Sequence, residues 1–303
     1  MAVTLAQAKD LTQDMVQKGV IQTFIDASPV LDRLPLMEIE GSGYRYSREN
    51  TLPGVAFRAV NAGYTESTGA VVNATEALVI LGGDADVDKF LQQTMSNLND
   101  QRSVQSALKA KALAFKFTET FFEGDDSVDT ESFDGLRTRL TGAQVVAAGT
   151  NGAAVTLDML DDLIDRVLGG PDVLYANKWL IRKINALVRA TGGTVPEPIE
   201  SYGKRVYSYA GIPLIDAGPD ATGAADIIAF DETQGSSSIT ASIYAVKYGE
   251  QEFVSGLTNG GVMVDDLGEL ETKPVFRTRI EFYCGMAIFN GKAAARLKGV
   301  LQS

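Results

Sequence analysis

The sequence has no histidine among its 303 residues and only one cysteine, Cys284. Without histidine it lacks the most frequent general base and the most frequent metal ligand of proteins. A single cysteine excludes an internal disulfide and a thiolate zinc site, and its surroundings, IEFYCGMAIF, are typical of a buried thiol. Histidine-dependent catalysis and cysteine-based metal binding are therefore excluded.

The chain is also short of positive charge, with 27 Lys and Arg against 39 Asp and Glu and a net charge of −12. Proteins that grip nucleic acid through its phosphates need an excess of basic residues, so a tight DNA binder is not expected. The charge is uneven, because residues 123–134 hold six acids and no base, whereas residues 272–303 hold six bases against Glu281 alone. Such asymmetry favours a subunit that contacts copies of itself.

The sequence shows no signal peptide and no run of 18 apolar residues. We therefore expect a soluble protein, made in a cytoplasm, without a membrane partner. Its apolar content of 45% is that of a globular protein, and its length is enough to bury a large core.

Residues 82–91, GGDADVDKFL, place Asp84, Asp86 and Asp88 at the alternate positions of a calcium loop. A calcium loop also needs glycine at its sixth position and glutamate at its twelfth, where this chain has lysine and methionine. Alternation with period two is typical of a strand with one wet face, whose intervening residues point inward. We therefore predict a strand here rather than a metal site, with Asp86 or Asp88 capping the next helix.

Other catalytic patterns are incomplete. The string GMAIFNGKA resembles a phosphate loop, but five residues separate its glycines and Ala293 stands where Ser or Thr must bind magnesium. The second acidic cluster, EGDDSVDTESFDGL, lacks calcium spacing and is interpreted as a solvated turn. We predict no catalytic residue, cofactor or metal, and an enzyme that uses paired carboxylates stays the alternative from another class.

The first 82 residues are predicted to form two segments, an N-terminal arm and a hairpin, that extend from the main body of the protein. Apolar spacing predicts a short amphipathic helix over residues 3–18, ended by Gly19, and a second helical segment in VIQTFIDASP. From 41 to 82, β-rich runs separated by Gly, Asn and Pro predict a long hairpin. An isolated hairpin is marginal in water, so we expect it to need a partner surface.

The strongest helical pattern covers residues 99–123. We expect Asn99 or Asp100 to cap the start of this helix, which would form a spine about 35 Å long. Its apolar stripe is predicted to be Val104, Leu108, Ala112, Phe115 and Phe122.

Beyond the spine, the sequence alternates between strand and helix periods and predicts an α/β or α+β unit. Strands are predicted in QVVAAG, PDVLYAN, RVYSYAGIPLI and DIIAF. Helices are predicted in TLDMLDDLIDRVLGG, capped by Thr156, and in NKWLIRKINALVRATGG, capped by Asn177. The chain is expected to end with a long strand, Val275 to Phe289, and a short helix.

The order of these parts resembles the major capsid proteins of tailed bacteriophages over nearly the whole chain. The resemblance rests on the arm, the hairpin, a spine ending in FFEGD, and the segments FDGLRTRL, PDVLYANKWLIRKI, AGIPLIDAG and FRTRIEFYCGMAIFNGKAAARL in that order. It implies the α+β Hong Kong-97-type capsid fold. The implied parts are an N-terminal arm (1–40), an E-loop (41–82), a peripheral domain with the spine (83–142), an axial domain (143–265) and a C-terminal return to the peripheral domain (266–303).

The resemblance further implies a shell protein that assembles into pentamers and hexamers around phage double-stranded DNA. Its expected partners are itself, a scaffolding protein, a portal protein and a decoration protein, with assembly in the bacterial host cytoplasm and a final place in the virion capsid. Some members also begin with a long cleavable scaffolding segment, whereas this sequence starts almost directly at the arm, so a separate scaffolding protein is expected if the sequence is full length. An encapsulin-like protein compartment of the same fold stays the alternative.

In such proteins the E-loop lies over a neighbouring subunit, and in some members an E-loop lysine forms a covalent cross-link to an asparagine of the neighbour. This chain has no lysine between residues 19 and 88, so we expect a shell held by non-covalent contacts. E-loop arginines are expected to meet acids such as those at 84–88 of the next subunit. The predicted subunit contacts are Tyr44, Arg45, Arg48, Arg58, Tyr64, Asp84 and Asp86.

Overall fold

The computed structural model describes residues 20, 23, 24, 27–95, 101–191, 199–201, 204–220 and 222–302. These residues form fourteen β-strands in three sheets together with five α-helices, so the predicted α+β class is confirmed. The predicted helix over residues 3–18, its end at Gly19 and the spine cap at Asn99 or Asp100 lie outside the described residues.

The strands are β1 (Leu36–Glu38), β2 (Gly43–Thr51), β3 (Ala70–Ala77), β4 (Val79–Asp88), β5 (Val145–Ala147), β6 (Val173–Ala176), β7 (Ile199–Ser201), β8 (Lys204–Tyr209), β9 (Ile212–Asp216), β10 (Glu232–Gln234), β11 (Ser237–Val246), β12 (Val254–Glu269), β13 (Val275–Ile288) and β14 (Ala294–Leu301). The helices are α1 (Lys89–Met95), α2 (Gln101–Glu123), α3 (Leu136–Arg139), α4 (Leu157–Asp165) and α5 (Lys178–Ala190).

One sheet has the order β1-β12-β13-β4 and carries the spine helix α2 on its inner face. Phe282 of β13 is fully buried there, with ring-centroid distances of 5.7 Å to Phe117 of α2 and 5.2 Å to Phe24. Phe24 lies in the second predicted helical segment, in which residues 20, 23, 24 and 27 are helical. This three-ring contact joins the start of the chain, the spine and the long strand near its end.

The spine helix matches its predicted span, but the predicted apolar stripe was wrong. Val104 and Leu108 are 42% and 56% exposed, and of the predicted set only Phe122 is buried. The residues that pack inward are Ala110, Leu113, Ala114, Phe117 and Phe121. Helix α2 is apolar on more than one face, so periodicity alone did not identify the packed one. Its alanines let the backbone approach the sheet while its phenylalanines fill the core.

The second large sheet has the order β5-β14-β11-β6-β9-β8-β7, with β10 paired to β11. Both predicted helix caps of this unit are confirmed, because Thr156 Oγ1 accepts from the Met159 N–H and Asn177 Oδ1 accepts from the Leu180 N–H. The predicted strands QVVAAG, PDVLYAN and RVYSYAGIPLI correspond to β5, β6, β8 and β9.

Two other element predictions were wrong. DIIAF (226–230) forms only an isolated bridge from Asp226 to Pro219, because its neighbours Ile227 and Ile228 both turn into the core and their backbone bonds go to a loop and to Asn177. The expected C-terminal helix is strand β14. Helix propensity is a weak preference, and here the small alanines fit a central strand between β11 and β5 that is buried beneath α4.

Strand pairing divides the chain differently from the predicted parts in three places. The hairpin ends at Ala77, because β4 already belongs to the sheet of β13. Residues 254–265, expected in the axial domain, pair with β13 in the four-stranded sheet. Strand β14, expected in the return to the peripheral domain, instead joins the eight-stranded sheet between β5 and β11.

The glycine of the Gly-Asp sequence after the spine, Gly124, and that of the downstream Gly-Leu sequence, Gly135, are needed for close packing. The Gly135 N–H donates to the Gly124 carbonyl oxygen at 2.9 Å, which closes the acidic loop, defined as residues 124–134. A Cβ atom on Gly135 would lie 2.5 Å from the Thr120 carbonyl oxygen and 2.6 Å from the Gly124 nitrogen. These glycines are required because the spine's last turn and the loop approach so closely.

Gly135→Ala is therefore expected to lower the free energy of unfolding by roughly 2–3 kcal/mol, the upper part of the range for overpacking. Urea unfolding monitored by circular dichroism measures this change. Gly291→Ala is the matched control, because a Cβ at Gly291 meets nothing within 4 Å. Equal stability of the two variants would contradict the packing explanation.

Candidate subunit-interaction surface

The hairpin formed by β2 and β3 pairs from Gly43 with Ala77 to Thr51 with Ala70, and its register shifts by one residue between Glu49 and Thr51. Its tip, residues 52–69, has no regular secondary structure. Large apolar side chains at the tip are almost fully exposed: Leu52 78%, Val55 95%, Phe57 107%, Val60 90% and Tyr64 71%. A soluble chain rarely exposes so many apolar side chains together, so this tip has the character of a binding surface.

The base of the hairpin is fixed to the body of its own chain. Tyr46 of β2 packs against Phe289 with ring centroids 4.6 Å apart, and both belong to a small core with Met37, Ile39 and Leu257. The Tyr46 hydroxyl donates toward the Ile288 carbonyl oxygen at 3.1 Å and toward Glu76 Oε1 at 3.2 Å. Burial, together with the nearby Glu76 carboxylate, raises the pKa of Tyr46 to about 12.

A second contact at the base is the ion pair between Glu76 of β3 and Arg139 of α3. The two Arg139 Nη atoms donate to the two carboxylate oxygens at 2.5 and 2.6 Å. The side chains are only 13% and 17% exposed. The ion pair and the Tyr46 contacts, named here the hairpin clamp, set the direction in which the hairpin leaves the body.

Removal of one partner of the clamp leaves a buried charge unpaired. Arg139→Met is expected to lower the free energy of unfolding by about 3 kcal/mol, and the double variant Glu76→Gln with Arg139→Met by clearly less. Urea unfolding of Arg139→Met, Glu76→Gln and the double variant measures the difference. If the double variant were as unstable as the sum of the single variants, the two side chains would not act as a pair.

The predicted contact residues occupy different parts of the hairpin. Tyr44 is half-buried against Phe289, with ring centroids 6.2 Å apart, so it packs on its own chain. Arg45 is exposed and Arg48 half-exposed on the stem. At the tip, Arg58 lies 5.3 Å from the ring centroid of Tyr64, and its guanidinium also donates to loop carbonyl oxygens. The structure therefore brings Arg58 and Tyr64 together, and their contact with a neighbour stays a prediction.

Asp84 and Asp86 lie on the wet face of β4, as predicted from their alternation, while Ala85 and Val87 are buried. Asp88 caps α1, because its Oδ1 accepts from the Phe90 N–H at 2.7 Å. An arginine partner from the next subunit stays a prediction, although arginines of the same chain already pair with these carboxylates.

These arginines come from the neighbouring strand β13. Arg279 Nε donates to Asp84 at 2.8 Å and Arg277 Nε donates to Asp86 at 2.7 Å. The hydrogen bonds from the arginines lower the pKa of both carboxyl groups. Sequence reasoning missed these partners, although the alternation in FRTRIE had the same period as that of the aspartates.

Another carboxylate group lies in the acidic loop, where oxygens of Asp125, Asp126 and Asp134 come within 4.8 Å of one another. The Asp126 N–H donates to Asp134 Oδ1 at 3.0 Å, so the loop's own backbone brings two of these acids together. Among the described residues, these three are the ones whose spacing would suit a cation.

No described helix is long and apolar enough to cross a membrane.

Comparison with known proteins supports a shell protein. Residues 12–160 match the family model of Major capsid protein GP7. Solved structures with the same fold include a holo-SrpI encapsulin complex from Synechococcus elongatus, with 20% identity, a TM-score of 0.67 and coverage of 89% of this chain and 86% of that one. Comparison with curated proteins gave no match.

Two phage structures share the fold over a similar or larger part of the chain. The Microbacterium phage Oxtober96 chain has 13% identity and a TM-score of 0.64 over 91% of both chains. The Mycobacterium phage Bobi chain has 13% identity and a TM-score of 0.63 over 100% of both chains. The predicted Hong Kong-97-type fold is thereby confirmed, and the family match agrees with the resemblance to tailed-phage major capsid proteins.

Proposed function

We propose that this chain, a major capsid protein of the tailed-phage type, assembles into pentamers and hexamers that form an icosahedral shell around double-stranded DNA. The observation that carries the proposal is the hairpin, whose base is clamped to its own body while its apolar tip is exposed. A rigid arm with an apolar end is suited to reach across to a neighbouring subunit and bury its tip there.

The charge of the chain supports DNA as the contents of the shell. A net charge of −12 disfavours tight binding to phosphates, which would hinder both packing and release of DNA. The wall then encloses the DNA without recognising its sequence. Non-covalent contacts hold the shell, because no lysine lies between residues 19 and 88 to cross-link the hairpin.

The further partners that we propose are a scaffolding protein during assembly in the host cytoplasm, a portal protein at one vertex, and a decoration protein outside. A compartment that encloses protein cargo is the second candidate. It is favoured by the fold shared with the encapsulin complex, whose TM-score is 0.67.

Purification of native shells and analysis of their contents separates the two candidates. We expect nuclease treatment to leave protected double-stranded DNA inside the shell. Shells that contain a protein cargo and no protected DNA would favour the compartment and contradict the phage head. Monomers that turn over a substrate, with no shells, would contradict both candidates.

A further inference from the structure

The acidic loop is an ordered projection without a cation of its own. The Asp129 N–H donates to the Asp125 carbonyl oxygen at 3.0 Å, and the loop is closed by the Gly124 to Gly135 hydrogen bond. It carries five carboxylates and no base, and Val128 near its tip is 84% exposed. Among the described ion pairs of the chain, none includes a residue of this loop.

The cations near the loop are already paired: Arg139, whose Nε donates to the Asp134 carbonyl oxygen at 2.7 Å, pairs with Glu76, and Lys116 pairs with Glu119. A cavity of about 580 Å³ separates the loop from the arginines Arg137 and Arg296. Arg137 pairs with Glu123 at 3.2 Å, and Arg296 pairs with the buried Glu232 at 2.8 Å. The charge of the acidic loop is therefore not balanced by its surroundings.

A groove of the opposite charge lies between α5 and strands β8 and β9. Its volume is about 460 Å³, and its floor is apolar. This basic groove is defined by Lys178, Ile181, Arg182, Arg189, Tyr207 and Leu214. Its three cations follow one face of α5, and Arg182 and Arg189 are exposed and form no ion pair among the described residues. Lys178 is 3.5 Å from Asp216, the one acid among the described residues that line the groove.

The acidic loop and the basic groove lie at different strands of the eight-stranded sheet. The loop faces Arg296 on β14, whereas the groove lies at β9 and β8, which are three and four strands away in the order β14-β11-β6-β9-β8. At about 4.8 Å per strand, β14 and β9 are roughly 14 Å apart. Two complementary surfaces that the sheet holds apart do not meet within one chain, but they can meet head to tail between copies, a contact that gives a ring when the rotation between copies closes.

We propose that in the assembled ring the acidic loop of one subunit inserts into the basic groove of the next. Val128 contacts the apolar floor, and Asp126, Asp129 and Glu131 face the cations of α5. This contact rests on the shell function proposed above and identifies two surfaces through which neighbouring subunits recognise one another. It forms one part of the interface, alongside the hairpin.

Charge exchange tests the contact. The groove variant carries Arg182→Glu and Arg189→Glu, the loop variant carries Asp126→Lys and Glu131→Lys, and a third variant combines all four changes. We expect each two-residue variant to raise the protein concentration needed for assembly at least about tenfold, because like charges then face each other. The combined variant is expected to return to within about threefold of the wild type, measured by sedimentation velocity and electron microscopy.

Lys292→Glu and Glu271→Lys are the matched controls, because both side chains are exposed and outside the two surfaces. We expect neither to change assembly. If the wild type forms shells and the groove and loop variants assemble equally well, the contact is overturned while the shell function stands. A combined variant that remains as defective as the two-residue variants would have the same consequence. A wild-type chain that never assembles would overturn both proposals.

Disulfide cross-linking between subunits tests the same contact without depending on charge. Val128→Cys combined with Tyr207→Cys or with Arg182→Cys places thiols on the two surfaces, and the native Cys284 is buried and does not compete. Mild oxidation of assembled protein is expected to give a ladder of bands on a denaturing gel that ends at five and six subunits. Shells in which neither pair cross-links would overturn the contact.

Discussion

Replacement of residues 52–69 by Asn-Gly is expected to give a folded subunit that no longer forms shells. Thr51 and Ala70 face each other at the end of the stem, so a two-residue turn closes the hairpin there. The hairpin clamp, which involves Tyr46, Glu76 and Arg139, is retained. Each large apolar side chain that the tip buries on a neighbour contributes roughly 1.5–3 kcal/mol, so loss of five at every contact is expected to abolish assembly.

A second variant separates the apolar contacts from the length of the loop. Serine at positions 52, 55, 57 and 60 keeps the number of residues and removes most of the exposed apolar surface of the tip. We expect the same loss of shells by electron microscopy, with an unchanged circular dichroism spectrum. Normal shells from either variant would refute the role of the tip.

Phe282→Ala is expected to have the largest effect on folding. The side chain is fully buried and contacts Phe24 and Phe117, so its removal opens a cavity where the start of the chain, the spine and β13 meet. The expected loss is about 3–5 kcal/mol, out of a total stability that is commonly 5–15 kcal/mol. Urea unfolding in the tip-replaced background measures this loss without interference from assembly.

Phe57→Ala is the matched control, because the Phe57 side chain is fully exposed in the single chain. We expect unchanged unfolding of the dissociated subunit and weakened assembly, the reverse of the effect of Phe282→Ala. If Phe282→Ala left the unfolding midpoint unchanged, the three-ring contact would not hold these elements together.

Local signals in the sequence predicted much of the fold. The caps Thr156, Asn177 and Asp88 each depend on a hydrogen bond within a few residues, and the structure has them. The predictions that failed depend on distant partners. The alanines of β14 favour a helix until β11 and β5 surround them, and the packed face of α2 is decided by the sheet that covers it.

The same distinction applies to the interaction surface. The hairpin could be predicted from its β-rich runs separated by Gly, Asn and Pro. Its need for a partner surface could be predicted because an isolated hairpin has no hydrophobic core of its own. The clamp could not, since Glu76 and Arg139 are 63 residues apart and nothing in the sequence pairs them. The arginine partners of Asp84 and Asp86 come from almost 200 residues away, at separations of 195 and 191. Only the shared period of the two strands indicated them.

Whether the purified wild-type chain assembles into shells is decided by electron microscopy over a range of protein concentrations. We expect closed icosahedral shells, or rings of five and six subunits when assembly is incomplete. A chain that remains monomeric at high concentration, with the hairpin intact, would contradict this expectation.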